Sequence, residues 1–82
     1  MPQKSHTIFV VGVGASAGGL DALNKLVAHL PRSADSFAVI IAQHLSPDHK
    51  SRMVDLLSRT SRWEVVQAKD GDEIKPKTVY MT

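Results

Sequence analysis

The stretch Ile8-Phe9-Val10-Val11-Gly12-Val13-Gly14-Ala15-Ser16-Ala17-Gly18-Gly19-Leu20 decides the fold. Its first part is continuously apolar and rich in β-branched residues. That composition predicts a short strand buried on both faces, as in a parallel sheet. Its second part is a glycine-rich turn. Beyond it Leu20, Leu23, Val27 and Leu30 recur at helical spacing, with Leu26 beside them. The stripe predicts an amphipathic helix of roughly ten residues, stopped by Pro31.

The same unit then repeats. Phe37 to Ala42 reads as a second buried strand, and Gln43-His44-Leu45 leaves it. Ser46 suits an N-cap, Pro47 the first helical position, and Asp48 the positive end of the helix dipole. Met53, Leu56, Leu57 and Thr60 form the inner face expected of this second helix. Trp63 to Ala68 reads as a third strand, and Asp70-Gly71 and Lys75-Pro76 as turns. Val79-Tyr80-Met81 starts a fourth strand. Residues 1–7 read as a flexible N-terminus and residues 8–82 as one domain. Strands alternating with helices across short loops predict a doubly wound, three-layer α/β/α parallel sheet of Rossmann-like type.

Composition bounds the function. The chain has 82 residues, 43% of them hydrophobic, which is a globular composition. A chain this short buries only about 60–65% of its unfolded surface, so it needs a well-filled core, a partner, or more of its domain. Ten Lys and Arg against eight Asp and Glu leave a net charge of +2. That surplus is too small for a dedicated nucleic-acid binder. There is no cysteine, which excludes a disulfide scaffold, a cysteine zinc site and a thiol nucleophile, and fits the cytoplasm. No apolar run approaches the roughly 18–20 residues of a membrane span, and residues 1–7 hold no signal-peptide core.

The glycine-rich turn fits two motifs at once. Gly12-x-Gly14-x-x-Ala17 matches the dinucleotide fingerprint, and Gly14-x-Ser16-x-Gly18 matches the nucleophile elbow. A plain tight turn is the third reading. The dinucleotide motif demands an acidic residue at the end of the second strand to hold the ribose. That strand ends Ala42-Gln43-His44, and Asp35 lies before it. The elbow demands a base near Ser16 instead. Parallel neighbouring strands share one carboxyl edge about 4.8 Å apart, so Ser16 and His44 would leave that edge side by side. A serine hydroxyl becomes nucleophilic when a base takes its proton. The Ala17 amide, at the helix N-terminus, could donate to an oxyanion.

The other titratable residues carry less. His49 falls in the first turn of the second helix, His6 in the loose start, and His29 near a helix C-terminus that favours a cation. No histidine pair has metal-ligand spacing, so neither metal nor cofactor is expected. Asp70 and Asp72 follow the third strand and are the local candidates for an orienting acid, although Asp-Gly is itself a turn signature.

Gly14-Ala15-Ser16-Ala17-Gly18-Gly19-Leu20 and Gln43-His44-Leu45-Ser46-Pro47-Asp48-His49-Lys50-Ser51 together resemble the chemotaxis protein-glutamate methylesterases, the CheB family. Val65-Val66-Gln67-Ala68-Lys69-Asp70-Gly71 and Val79-Tyr80-Met81 resemble that family's next two strands. The resemblance runs from Ile8 to Thr82. It implies a cytoplasmic serine esterase that hydrolyses glutamate methyl esters on chemoreceptor-type proteins, with glutamine deamidation in some members. It makes Ser16 the nucleophile and His44 the general base. The family's catalytic aspartate and second oxyanion donor are implied to lie downstream, outside this sequence, and Asp70 matches a turn position.

Departures from the family pattern shape the expectation. Family members often carry a receiver domain, whereas only residues 1–7 precede the first strand here. Ala17 stands where threonine is frequent. The stretch from Ser46 to Ser51 resembles the branch fused to a receptor methyltransferase, with response-regulator control as a further expected partner. The resemblance therefore makes this chain the N-terminal half of the doubly wound domain, expected to stop inside it and to show weak or no esterase activity alone. Its fourth strand is expected to lie at an open sheet edge, which favours a homo-oligomer or a strand-exchanged dimer. The alternative is a non-catalytic receptor-docking or regulatory module of the same fold.

Overall fold

A computed structural model describes residues 8–15, 19–43 and 47–82. The elements run β1 (Phe9–Ala15), α1 (Leu20–Ala28), β2 (Phe37–Gln43), α2 (Pro47–Ser58), β3 (Glu64–Gln67) and β4 (Thr78–Met81). All the strand pairs are parallel, in the order β1-β2-β4-β3. A four-stranded parallel sheet flanked by two helices is the doubly wound α/β arrangement that the alternating pattern predicts.

Both helices lie on one face of the sheet. Their inner residues Leu23, Val27, Met53 and Leu57 share one buried cluster with Val39, Ile41, Val65, Val79 and Met81. Those strand residues alternate in sequence and match in register, so they stand on the same face. The opposite face carries Tyr80, and the connection from β3 to β4 crosses over it. The Tyr80 hydroxyl accepts from the Lys75 backbone N–H (2.8 Å) and donates to the Glu73 carbonyl (3.1 Å). Right-handed crossovers require this: the chain moves one way across the sheet through α1 and α2, then reverses from β3 to β4. The reversal places the second crossover layer on the other face.

The loop after α2 closes the far end of α1. A helix leaves its last four carbonyls without intrahelical partners. Here the Lys25 carbonyl accepts from His29 Nδ1 (2.7 Å) and the Leu26 carbonyl from the His29 backbone N–H (3.2 Å). The Val27 carbonyl accepts from the Arg62 N–H (3.1 Å). Just beyond, the indole N–H of buried Trp63 donates to the Pro31 carbonyl (2.8 Å). One side chain thus fills the core and ties the α1–β2 loop to β3.

The structure corrects several sequence expectations. β1 is not buried on both faces: Phe9, Val10 and Val11 are 56%, 48% and 45% exposed. β1 is an edge strand of the described sheet, and neither helix covers the face that carries Val10. β4 is not at a sheet edge, because the reversed crossover inserts it between β2 and β3. Thr60 does not complete the inner face of α2. It is exposed, two residues past the helix end, and its hydroxyl donates to Asn24 Oδ1 (2.9 Å). Leu30 is buried as expected, but it follows the end of α1 at Ala28.

Candidate active site

Two connections leave the carboxyl edge of the sheet next to each other. β1 ends at Ala15, and α1 starts at Leu20 behind Gly19. β2 ends at Gln43, and α2 starts at Pro47. Ala15 and Gln43 are register partners in adjacent parallel strands, as are Gly14 and Ala42. Adjacent strands are about 4.8 Å apart. Ligands of open α/β sheets bind in the crevice beyond the carboxyl ends of the strands.

The three residues that the sequence marks for chemistry, Ser16, Ala17 and His44, lie outside the described residues, as does the expected N-cap Ser46. What the structure supplies is their flanks. Gly14-x-Ser16-x-Gly18 joins the end of a strand to the start of a helix, the setting that a nucleophile elbow requires. The glycines before it are not explained by the described packing. A Cβ on Gly12 or Gly14 would meet no atom within 4 Å, and neither has a positive φ. They leave the sheet surface bare where β1 ends. An open groove of about 320 Å³ lies beside this end, lined in part by Gly14, Ala15, Gly19, Ala22 and Leu26. Gln43, the last residue of β2, is a buried polar side chain at the same edge.

The remaining candidates are dispersed. Asp72 closes a turn: its carboxylate accepts from the Lys69 N–H (2.8 Å), and its own N–H donates to the Lys69 carbonyl (3.0 Å). Gly71, at φ 85°, supplies the left-handed position that this turn needs. Asp70 and Asp72 follow β3, which is two strand spacings, roughly 10 Å, from β2, the strand before His44. That geometry favours the turn reading over an orienting acid. His49 is exposed in the first turn of α2, and His29 caps the opposite end of α1. His6 lies outside the described residues. Among the described residues no group of three or more His, Cys, Asp or Glu could hold a metal ion. No helix among them is long and apolar enough to cross a membrane.

One contact near this edge escaped the sequence reading. Gln67, the last residue of β3, donates from Nε2 to Ser51 Oγ on α2 (2.9 Å). Its sequence signal is weak, a single amide ending an apolar strand.

A four-stranded parallel sheet with α1 and α2 packed on it defines a doubly wound α/β arrangement. The chain belongs to the CheB methylesterase family, whose model matches residues 11–82. It is 38% identical, over 72 residues, to the protein-glutamate methylesterase/protein-glutamine glutaminase of group 2 operon from Bradyrhizobium diazoefficiens, covering 88% of this chain and 18% of that protein. It is 35% identical, over 80 residues, to protein-glutamate methylesterase/protein-glutamine glutaminase 3 from Geobacter sulfurreducens, covering 98% of this chain and 21% of that one. The crystal structure of the Thermotoga maritima CheB methylesterase catalytic domain superposes with a TM-score of 0.82 at 31% identity, covering 92% of this chain and 39% of that chain. The chain thus spans about a fifth of the length of the curated relatives it matches.

Proposed function

We propose that this chain supplies the nucleophile and the base of a serine esterase that hydrolyses glutamate methyl esters on a chemoreceptor-type protein. The observation that carries the reading is the register pair Ala15 and Gln43, from which the Ser16 and His44 segments depart on adjacent parallel strands. The names of the relatives support the substrate class: a glutamate methyl ester, with a glutamine amide as the second substrate.

In this mechanism His44 takes the proton of Ser16 Oγ as the oxygen attacks the ester carbonyl carbon. The carbonyl π electrons move onto oxygen, and the Ala17 N–H donates to the resulting oxyanion. The tetrahedral intermediate collapses, the C–OCH3 bond breaks, and His44 returns the proton to the departing methoxide, giving methanol. Water, deprotonated by His44, then attacks the glutamyl ester on Ser16. The C–Oγ bond breaks, the proton returns to Oγ, and a glutamate carboxylate is released. Bare Gly12 and Gly14 leave room for a polypeptide to approach the end of β1. The aspartate that orients His44 and a second oxyanion donor come from outside these residues, so residues 8–82 act as the N-terminal part of the catalytic domain.

The setting belongs to the same reading: a cytoplasmic enzyme of chemotactic signal transduction, controlled by a response regulator of a phosphorelay and joined to a receptor methyltransferase. Alone, the 82-residue chain covers its apolar β1 edge by self-association. Sedimentation equilibrium reads this directly, and a monodisperse monomer contradicts it. The catalytic assignment is tested by a fluorophosphonate probe, which forms a phosphonyl ester with an activated serine. Capture at Ser16 supports it, and capture undiminished by Ser16→Ala overturns it.

A further inference from the structure

We infer that the 82-residue chain forms a two-fold dimer in which β1 pairs antiparallel with the partner's β1, in a register centred on Gly12. The inference rests on self-association through β1 and deepens it; it is independent of the esterase assignment. Its ground is the edge that β1 leaves open. The Phe9 N–H donates across to the Ser36 carbonyl, just before β2 (2.7 Å). Along a strand, the backbone groups of successive residues point to opposite sides. Phe9, Val11, Val13 and Ala15 therefore turn theirs toward β2, and Val10, Gly12 and Gly14 turn theirs toward the open edge of the described sheet. Such an edge is a template for another strand, and proteins blunt it with charge or by keeping it short. The other edge strand, β3, is blunted in both ways, with four residues and an exposed Glu64. β1 has seven residues and no charge.

An edge that meets its own copy about a two-fold axis pairs antiparallel, and the contact closes at two chains. All three outward residues find partners when Gly12 lies opposite the partner's Gly12. Val10 then lies opposite the partner's Gly14, Phe9 opposite the partner's Ala15, and Val11 opposite the partner's Val13. Large residues meet small ones on both faces of the seam. A Cβ on Gly12 or Gly14 would meet nothing within 4 Å, so the space beside them is open to the partner's larger side chains. On the helix face, Val11 and Val13 line an apolar groove of about 210 Å³ with the exposed Leu26 and Phe37. A crossover helix lies over the strands it connects. The two copies of α1 therefore come to lie two strand spacings apart across the seam, about 10 Å. Packed helices sit about 8–10 Å apart, so the pairing that completes the sheet also covers Leu26.

The test uses the 82-residue chain. It has no cysteine, so a single introduced one reports its own position. In this register Gly12→Cys faces its copy at a Cα separation of about 5.5 Å, inside the range of about 4.4–6.8 Å that a disulfide spans. Val10→Cys is four residues out of register with its copy, roughly 14 Å away, and beyond that range. Sedimentation equilibrium of the wild-type chain is expected to give the mass of a dimer. Mild oxidation is expected to cross-link Gly12→Cys about tenfold faster than Val10→Cys, or more. Val11→Lys sets a charge in the apolar seam and is expected to raise the dimer dissociation constant about tenfold or more, with an unchanged circular dichroism spectrum. A wild-type dimer in which Val10→Cys cross-links as fast as Gly12→Cys overturns the inference and leaves self-association intact. A mass above the dimer overturns the two-fold pairing. A monomer means that another segment covers β1, and it overturns both.

Discussion

Replacing both Ser16 and His44 with alanine, in a protein that carries the whole catalytic domain, slows methyl-ester hydrolysis no further than replacing either one alone. A nucleophile and its base act as a unit, and each single loss in a comparable triad costs on the order of 10⁶ in kcat. The remaining catalysis, about 10³–10⁴ over water, comes from binding and oxyanion donors, which neither substitution removes. The expected result is therefore three variants with nearly equal residual rates. Additive losses would mean that the two residues work in separate steps or at separate sites. Loss with Ser16→Ala alone, beside a nearly active His44→Ala, would place the base elsewhere. The dinucleotide reading of the same turn predicts no loss from either, and it already lacks its ribose-binding acid at Ala42-Gln43-His44.

Trp63→Ala is expected to bring the largest loss of stability. The side chain is buried in the cluster that joins both helices to the sheet, and its Nε1–H holds the Pro31 carbonyl at 2.8 Å. Truncating a buried aromatic of this kind costs about 3–5 kcal/mol. A domain of this size has a total of roughly 4–12 kcal/mol. The variant should melt well over 10 °C lower, since each kcal/mol is worth about 4–8 °C in a small domain. Trp63→Phe keeps a six-membered ring but loses the pyrrole ring with its N–H, so it should cost less, about 2–3 kcal/mol. Thermal unfolding followed by circular dichroism measures both. Equal losses in the two variants would assign the effect to the pyrrole ring and its Pro31 hydrogen bond rather than to the rest of the side chain's packing.

Much of the fold was legible because its elements are written in local pattern. Ile8 to Val11 and Phe37 to Ala42 are continuous apolar runs rich in β-branched residues, and Leu20, Leu23 and Val27 keep helical spacing. What stayed hidden depends on how elements meet. An apolar run such as Phe9-Val10-Val11 reads the same whether a layer covers it or not, and here it stands half exposed at a sheet edge. The place of β4 between β2 and β3 follows from a reversed crossover, which no local pattern encodes. Thr60 sits at helical spacing after Leu56 and Leu57, but α2 has already ended at Ser58. The candidate site was legible as a motif pair, Gly14-x-Ser16-x-Gly18 and Gln43-His44. The structure adds the parallel register that aligns their flanks. The tie from Gln67 to Ser51 joins residues sixteen apart in sequence and needed the packed helix to be seen.

The central claim is that Ser16, at the end of β1, is a nucleophile activated by His44. It is tested most directly by fluorophosphonate treatment of the full chain, followed by mass spectrometry of the peptides. The account predicts a single phosphonyl adduct on Ser16 that forms far more slowly in His44→Ala. An adduct elsewhere, or equal labelling of Ser16 with and without His44, would contradict it.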